Sequence, residues 1–600
     1  MPPSAPLLRA PPGWGGRRDG AALSALAGSP TRLIASDDWK TPELMARAEG
    51  AIAGLIGRRI GGACFDPDPG PKALGLAASG LTLLVLPDRR DAHESSFARM
   101  VAHAKTYDPA TVAAAPSSDG GARAGRWSEE FARAHGWRFV PPPVSPWTLL
   151  DAAARVLTLD DEAGFLALLR GREVRCFAPA FYAGWGATID DPAISAHGAR
   201  RTAPELFAAV CLAGTRYRDP FTGAATSFEA AADILAEWRR HNEANRKIAA
   251  TIGISFWKRR RLRELLASTS GMPAHRRGAA AAVDLARRKN GAVAVWASRE
   301  PPALAGLARA AGVPVVRVED GFLRSLGLGA DFIPPASIVA DWHGMYFDPS
   351  RVSDLMQVLN DTRFDADLLV RARRLAGELV RRGITKYNTG ARSAPVEAAW
   401  DRRRIFVPGQ VADDRSVTLG GAGVDNRDLL ARVRAANPDA FIIYKPHPDV
   451  EAGHRAGAVP DDAVRRFADL ILRGVSSAAI IAAVDEIHTL TSLCGFEALL
   501  RGRAVTVYGK PFYAGWGLTT DLVAQPNRRR RLSLDELVAG TLILYPRYLD
   551  PVTRLPCGPE IVMDRFGDPG NWRTGTLVRL RRLQGRIALL YAAGGWRTRG

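Results

Sequence analysis

Phe512-Tyr513-Ala514-Gly515-Trp516-Gly517 repeats, residue for residue, the earlier hexapeptide Phe181-Tyr182-Ala183-Gly184-Trp185-Gly186, and the offset of 331 holds on both sides of it. Upstream, Gly164-Phe165-Leu166-Ala167-Leu168-Leu169-Arg170-Gly171-Arg172 aligns with Gly495-Phe496-Glu497-Ala498-Leu499-Leu500-Arg501-Gly502-Arg503. Downstream, Arg216-Tyr217-Arg218-Asp219-Pro220 aligns with Arg547-Tyr548-Leu549-Asp550-Pro551. An ungapped match of this span does not arise by chance, so the chain holds two related modules. The second fills about 330 residues from near Trp257 and ends near residue 570. The first is squeezed into roughly residues 36–235 and has room for only one lobe ahead of its hexapeptide.

The second module alternates short apolar runs with helical stretches. Ala292-Val293-Ala294-Val295-Trp296 reads as a strand, Pro302 to Ala311 as a helix with proline in its first turn, and Val313 to Val318 as the next strand. Ile405-Phe406-Val407, Phe441–Tyr444, Ile487–Leu490 and Val505-Thr506-Val507 read as further strands, with helices near Arg427–Ala436 and over Gly495–Leu500. Asp361 to Trp400 reads as helix-rich. Such alternation predicts parallel sheets covered by helices, here in two α/β lobes with a cleft between them. The expected divisions are a disordered, Pro/Gly/Arg-rich segment at 1–35, a degenerate single-lobe module at 36–240, one lobe at 250–395, a second at 396–570, and a basic tail at 571–600. A polar, basic boundary running from Arg239 to Arg261 separates the modules.

Composition sets outer limits. At 600 residues the chain is too long for one domain, and roughly 150 residues per domain gives about four units. A hydrophobic fraction of 47% with 24% charged residues is ordinary for a globular protein and excludes a mostly disordered chain. No apolar stretch approaches the roughly 18 residues of a membrane span, and the N-terminus has no basic region leading into an apolar one, so neither a span nor a secretory signal is expected. The five cysteines, Cys64, Cys176, Cys211, Cys494 and Cys557, are far apart and never in C-x-x-C spacing, which fits a reducing cytoplasm. A net charge of +19 favours anionic partners: nucleic acid, nucleotide sugar or acidic lipid.

Ligands of open parallel sheets bind beyond the carboxyl ends of the strands. Three polar clusters of the second module fall there. Glu319-Asp320-Gly321 follows Val318; adjacent carboxylates at a strand end suit a nucleophile or general base, or else a plain acidic turn. Lys445-Pro446-His447-Pro448 follows Tyr444; the prolines stiffen a loop whose Lys and His can hold a phosphate or carboxylate, or form a rigid structural turn. Thr491-Ser492 precedes the helix at Gly495, where hydroxyls and free N–H groups make an anion site or an ordinary cap. Pro408-Gly409-Gln410, with Asp413 and Asp414 beyond, is a fourth strand-end loop, lining the cleft or lying on the surface. Gly327-Leu328-Gly329 is a weak glycine signal, read as a loop.

Glu-Asp-Gly, His-Pro and a Ser/Thr pair in this order resemble the motif set of two-lobed bacterial sialyltransferases and Kdo transferases, which use CMP-sugar donors. The fuller strings are more specific. Val318-Glu319-Asp320-Gly321-Phe322-Leu323-Arg324-Ser325, Tyr444-Lys445-Pro446-His447-Pro448 and Tyr508-Gly509-Lys510-Pro511 running into Phe512–Gly517 resemble the capsule polysaccharide family called KpsC or LipA, over about residues 250–575 with a weaker echo over 50–235. The resemblance implies a two-lobed, GT-B-like glycosyltransferase of two Rossmann-like lobes, preceded by a partial repeat of the nucleotide-binding lobe. It implies capsular polysaccharide biosynthesis and export, with retaining β-Kdo transfer from CMP-Kdo onto a phosphatidylglycerol-linked Kdo linker. It places the CMP-sugar lobe at 396–570 and the acceptor-side lobe, with Glu-Asp-Gly, at 250–395. By the same resemblance Asp320 is the catalytic carboxylate, as nucleophile or base, and Glu319 supports it. Lys445, His447, Pro448, Thr491, Ser492, Gln410 and Glu497 bind the donor. No metal or other cofactor is demanded, since Lys, His and a helix N-terminus offset phosphate charge. The alternatives are a transferase for another CMP-activated sugar and a non-catalytic scaffold of capsule assembly.

The first module departs from that pattern. At the repeat offset, Asp160 and Asp161 replace Thr491 and Ser492, and Leu166 replaces Glu497. Acidic residues repel a phosphate, and residues 36–150 contain neither Glu-Asp-Gly followed by Phe-Leu-Arg-Ser nor Lys-Pro-His-Pro, so a lost donor site is expected. The hexapeptide survives in both modules, which favours a structural role over stacking on cytosine. Basic runs at Lys258-Arg259-Arg260-Arg261, at Arg528-Arg529-Arg530-Arg531 and from Arg573 to Arg599 fit an anionic membrane surface; Leu577 to Tyr591 reads either as an interfacial helix or as a terminal helix packed on the protein. The resulting expectation is a cytoplasmic protein, peripheral on the inner face of the cytoplasmic membrane, in contact with capsule export machinery. No nucleic-acid motif accompanies the charge.

Overall fold

A computed structural model describes residues 8, 24–26, 28–77, 79–87, 94–107, 111–114, 122–325, 333–386, 401–451 and 455–572. Gly327-Leu328-Gly329, most of the tail at 573–600, and the end of the helix-rich stretch at 387–400 lie outside them. The chain forms two units: residues 1–246 with 268–270, and residues 247–267 with 271–600. Among the described residues no helix is long and apolar enough to cross a membrane.

The first unit is built on a parallel sheet of β2 (Leu81–Val85), β3 (Thr111–Ala114), β4 (Arg138–Val140), β5 (Ala153–Thr158), β6 (Glu173–Cys176) and β7 (Ile189–Asp190), in the order β4-β3-β2-β5-β6-β7. Beside it β1 (Ser24–Leu26), β8 (Thr215–Arg218) and β9 (Ala225–Thr226) form a small antiparallel sheet. Leu84, Met100, Ala113 and Leu157 fill one side of the larger sheet.

The second unit has two lobes. The first carries β10 (Ile248–Ile252), β11 (Ala274–His275), β12 (Ala292–Trp296), β13 (Val315–Asp320) and β14 (Ser337–Asp341). The second carries β15 (Arg404–Pro408), β16 (Phe441–Lys445), β17 (Leu470–Ile471), β18 (Glu486–Thr489), β19 (Ala504–Val507) and β20 (Thr520–Asp521), all parallel, in the order β17-β16-β15-β18-β19-β20. That order is the order of the large sheet in the first unit, strand for strand. The chain then returns: β21 (Arg547–Leu549) and β22 (Pro556–Cys557) complete the first lobe's sheet, β11-β10-β12-β13-β14-β21-β22. Two Rossmann-like lobes with a closing return of this kind make a GT-B-like fold. The core strands are buried on both faces, which is why β12, reading Ala-Val-Ala-Val-Trp, shows no alternation.

Three expectations are corrected. The segment 396–570 is not one lobe, because Ser337 pairs with Tyr548 and Ile338 with Arg547, and this ladder binds β21 to the other lobe. The segment 1–35 is not wholly disordered: β1 pairs with β8, and the helix Pro30–Ala35 buries Ile34. The boundary expected between Arg239 and Arg261 falls there: the main stretch of the first unit ends at Arg246 and the second begins at Lys247, between the helix Phe228–Asn245 and β10. The runs at 258–261 and 528–531 are also not free surface patches. Lys258 and Arg261 are buried, while Arg529 pairs with Asp361 and Arg530 with Glu536.

The small sheet explains what the first module keeps. Ser24 pairs with Tyr217 and Ala25 with Arg216, the register of Ser337 with Tyr548 and Ile338 with Arg547 shifted by the repeat. The Ser24 hydroxyl donates to Leu8 O (3.3 Å), as the Ser337 hydroxyl donates to Leu323 O (2.5 Å). The first unit thus keeps β1 as the counterpart of β14.

The hexapeptide is a structural clamp in both units. Tyr513 Oη donates to Ser492 O and Tyr182 Oη to Asp161 O, each at 2.6 Å. Each tyrosine thereby pins the start of a helix: Leu493–Leu500 or Glu162–Leu169. Trp516 Nε1 and Trp185 Nε1 donate to the backbone of Phe512 and Phe181. Both tryptophans are fully buried, so neither is free to stack on a base. Gly515 and Gly517 have φ of 83°, and Gly184 and Gly186 have 80° and 76°, where a side chain would be strained. The tyrosine lies so close that a Cβ on Gly164 would fall 2.3 Å from Tyr182 Oη. Gly164→Ala is therefore expected to lower the stability of the first unit by about 1–3 kcal/mol. Adding Tyr182→Phe should recover part of that loss in denaturant unfolding; equal stability of wild type and Gly164→Ala would refute the clamp.

Candidate active site

All nine residues singled out from sequence, Glu319, Asp320, Gln410, Lys445, His447, Pro448, Thr491, Ser492 and Glu497, line one cleft of about 1040 Å³ between the lobes of the second unit. Glu319 and Asp320 are the last residues of β13 rather than a turn after it. The remaining seven come from the second lobe, from the ends of β15, β16 and β18 and the elements that follow.

Asp320 sits among cations. Lys258 Nζ lies 3.2 Å from both of its carboxylate oxygens, and Arg324 Nε lies 2.9 Å from Oδ2. Arg324 is wholly buried, and its guanidinium also donates to Ser325 Oγ (2.6 Å) and Ile333 O (3.0 Å). Lys258 Nζ rests 3.6 Å from the centroid of the Trp296 ring, a cation–π contact that fixes it. Burial alone would raise the Asp320 carboxyl, but Arg324, Lys258 and Lys386 outweigh it and hold the group well below the usual carboxylate range. Glu319 moves the other way. Burial first, then the charge of Asp320, push it up against the pull of Lys258. Two adjacent carboxyls are thus driven apart, one kept ionised and one ready to carry a proton near neutral pH.

The second lobe offers hydrogen-bond donors. Lys445 ends β16 with its ammonium 3.2 Å from Pro446 O and 3.7 Å from Glu451. His447 Nδ1 accepts the Asp449 backbone N–H at 3.1 Å, so the ring's proton sits on Nε2. Burial pushes this imidazole below its ordinary value, against Asp449, and it stays neutral. Ser492 caps the helix Leu493–Leu500 by accepting from Cys494 N (3.2 Å), and Pro448 opens the short helix Pro448–Glu451. Gln410 turns inward instead: its amide donates to Thr491 Oγ1 (2.8 Å) and accepts from Thr489 Oγ1 and Thr491 N. It therefore sets the position of Thr491. In the first unit Asp161 caps the equivalent helix, accepting from Ala163 N at 2.7 Å, which puts a carboxylate where Ser492 stands.

Sequence reasoning missed Lys258, Arg324 and Lys386 as members of the site. Lys258 lies in a basic run that reads as surface, and Arg324 lies in the Val318–Ser325 motif without an evident role. An arginine four residues after Asp320, in the turn that follows the strand end, was the available signal for Arg324.

The sequence profile of the capsule polysaccharide biosynthesis protein family matches residues 95–216, 291–382 and 372–548. The chain belongs to this family. It is 39% identical over 442 residues to the capsule polysaccharide modification protein LipA of Neisseria meningitidis serogroup A / serotype 4A, which covers 72% of this chain and 62% of LipA. It is 43% identical over 258 residues to the lipopolysaccharide-processing protein LpsZ of Rhizobium meliloti, covering 42% of this chain and 58% of LpsZ. The chain spans about three fifths of the length of these relatives. Among solved structures, the beta Kdo 2,7 transferase of Thermosulfurimonas dismutans KpsC is 36% identical, with 56% of this chain and 99% of that chain covered and a TM-score of 0.43.

Glu497 gives the site a pH signature. Its carboxylate accepts the Lys386 backbone N–H (3.1 Å), yet burial pushes it up to about 7 from an ordinary 4.5, against Arg501. Because the folded value is raised, the stability linked to the protonated form is complete below pH 4.5 and is lost as pH rises through about 7. Glu497→Gln, which stays neutral, should melt a few degrees above wild type at pH 8, and the difference should vanish near pH 5. Melting curves that stay parallel across this range would contradict the assignment.

Proposed function

We propose that this chain is a retaining glycosyltransferase of capsular polysaccharide biosynthesis that moves Kdo from CMP-Kdo onto a phosphatidylglycerol-linked Kdo acceptor. The observation that carries the reading is the Asp320 carboxylate, held ionised between Lys258 and Arg324, in one cleft with Lys445, His447 and the Ser492-capped helix. Family membership and the motif strings supply the donor class.

In this reading the donor phosphate lies at the N-terminus of the helix Leu493–Leu500, against Ser492 and Thr491, with the Lys445 ammonium and the His447 Nε2–H donating to it. Gln410 orients Thr491. Glu497 lines the donor side. These groups offset the leaving-group charge without a metal, so EDTA should leave the rate unchanged. A carboxyl held far below neutral is a poor general base but is always ionised. Asp320 therefore acts on the anomeric carbon as nucleophile or as charge stabiliser of an oxocarbenium-like state. Glu319, with its raised affinity for protons, takes the proton of the attacking hydroxyl. A lipid acceptor puts the protein at the inner face of the cytoplasmic membrane, near the export machinery.

The test is purified protein with CMP-Kdo and a Kdo-primed phosphatidylglycerol glycolipid, read by product mass. The expected product is heavier by whole Kdo units, and Asp320→Ala should lower turnover by about 100-fold or more. Near-normal turnover by Asp320→Ala would remove Asp320 from the chemistry. Transfer from a different CMP-sugar alone would change the donor, and no transfer from any CMP-sugar would leave the scaffold reading.

A further inference from the structure

Beside the cleft lies a second cavity of about 420 Å³, which shares Phe347 and Arg415 with it. Except for Arg415, its walls come from the first lobe. Four arginines line it: Arg309 on the helix Leu304–Ala310, Arg317 in β13, Arg351, and Arg415 at the start of the helix Arg415–Gly420. Only two carboxylates do, Glu300 and Asp348. Arg317 is matched by Glu300 in a two-pronged pair, at 2.9 and 3.0 Å. Asp348 accepts from the backbone N–H and hydroxyl of Ser350. Among the described residues Arg309, Arg351 and Arg415 have no carboxylate partner. These three side chains are exposed to solvent. Unmatched guanidiniums converging on one cavity leave it positive, and their forked donors suit a carboxylate or a phosphate.

The cavity is also connected to the chemistry. Arg317 and Glu319 are two residues apart on β13 and so face the same side, about 7 Å from each other. A group held at the arginines would lie one step along the strand from Glu319.

We propose that this cavity is an acceptor subsite, taking the anionic oxyacid group of the acceptor while the neighbouring hydroxyl reaches Glu319. The subsite rests on the transfer reading above and adds the acceptor's charge to it. The anionic group is either the carboxylate of an acidic sugar or the phosphate of a glycolipid, and both offer the oxygens that guanidinium recognises.

The test is calorimetric binding to the full chain, wild type against Arg309→Gln/Arg351→Gln, with three probes: CMP, a short Kdo oligosaccharide on a neutral aglycone, and short-chain phosphatidylglycerol. CMP should bind both proteins equally, showing that the variant is folded. The oligosaccharide, the phosphatidylglycerol or both should bind the variant at least about tenfold more weakly, and Arg309→Lys/Arg351→Lys should restore part of the loss. A loss confined to the oligosaccharide assigns the site to a sugar carboxylate; a loss confined to the lipid assigns it to phosphate. Equal binding of both anionic probes to wild type and variant, or no binding of either to wild type, would overturn the subsite. Failure of CMP alone to bind wild type would count against the donor reading and leave the subsite to be judged by the other two probes.

Discussion

A carboxylate clamped between two buried cations organises the second unit. Asp320 holds Lys258 at 3.2 Å and Arg324 at 2.9 Å, and none of the three would be tolerated in that place without the others. Burying an unpaired charge is expensive, and removing one member of a buried ion cluster costs about 3–5 kcal/mol. The cluster therefore ties together three separate elements: the stretch before the helix Arg259–Leu265, the end of β13, and the strand-end turn leading toward β14. It also keeps Asp320 ionised, while burial first and then the charge of Asp320 raise the proton affinity of Glu319 against the pull of Lys258.

The two units show what such a cluster requires. Their large sheets share one strand order, their hexapeptides make the same hydrogen bonds, and Thr202–Glu205 and Ser533–Glu536 form the same capping box. The first unit has only a three-stranded sheet where the second has a seven-stranded one, and the residues at the site positions differ as well. The first unit has Asp161 in place of Ser492 and Leu166 in place of Glu497. Scaffold features survived together where site features did not. This separates the packing role of the hexapeptide from the chemistry of the cleft.

Much of this was readable from the residues. The repeat located both six-stranded sheets, and period-free apolar runs such as β12 and β16 marked buried parallel strands. Nine candidate residues, eight at strand ends and Glu497 within the helix Leu493–Leu500, share a single cleft. Three kinds of feature escaped. The return of β21 to the first lobe depends on pairing between residues more than 200 positions apart, which local pattern does not encode. The strand β1 is three residues long and is recognisable only by its register against β8. Lys258 was hidden by its neighbours: a run of four basic residues reads as solvated surface, and only burial shows that Lys258 turns in while Arg260 stays out.

The central claim is that Asp320 is an ionised group throughout the working pH range. The most direct measurement is the carboxyl infrared difference between wild type and Asp320→Asn, followed through a pH titration. The account predicts that the Asp320 band remains that of a carboxylate down to pH 4, about the point where an ordinary aspartate is half protonated. A band that protonates in the ordinary range or above it would contradict the clamp and the role built on it.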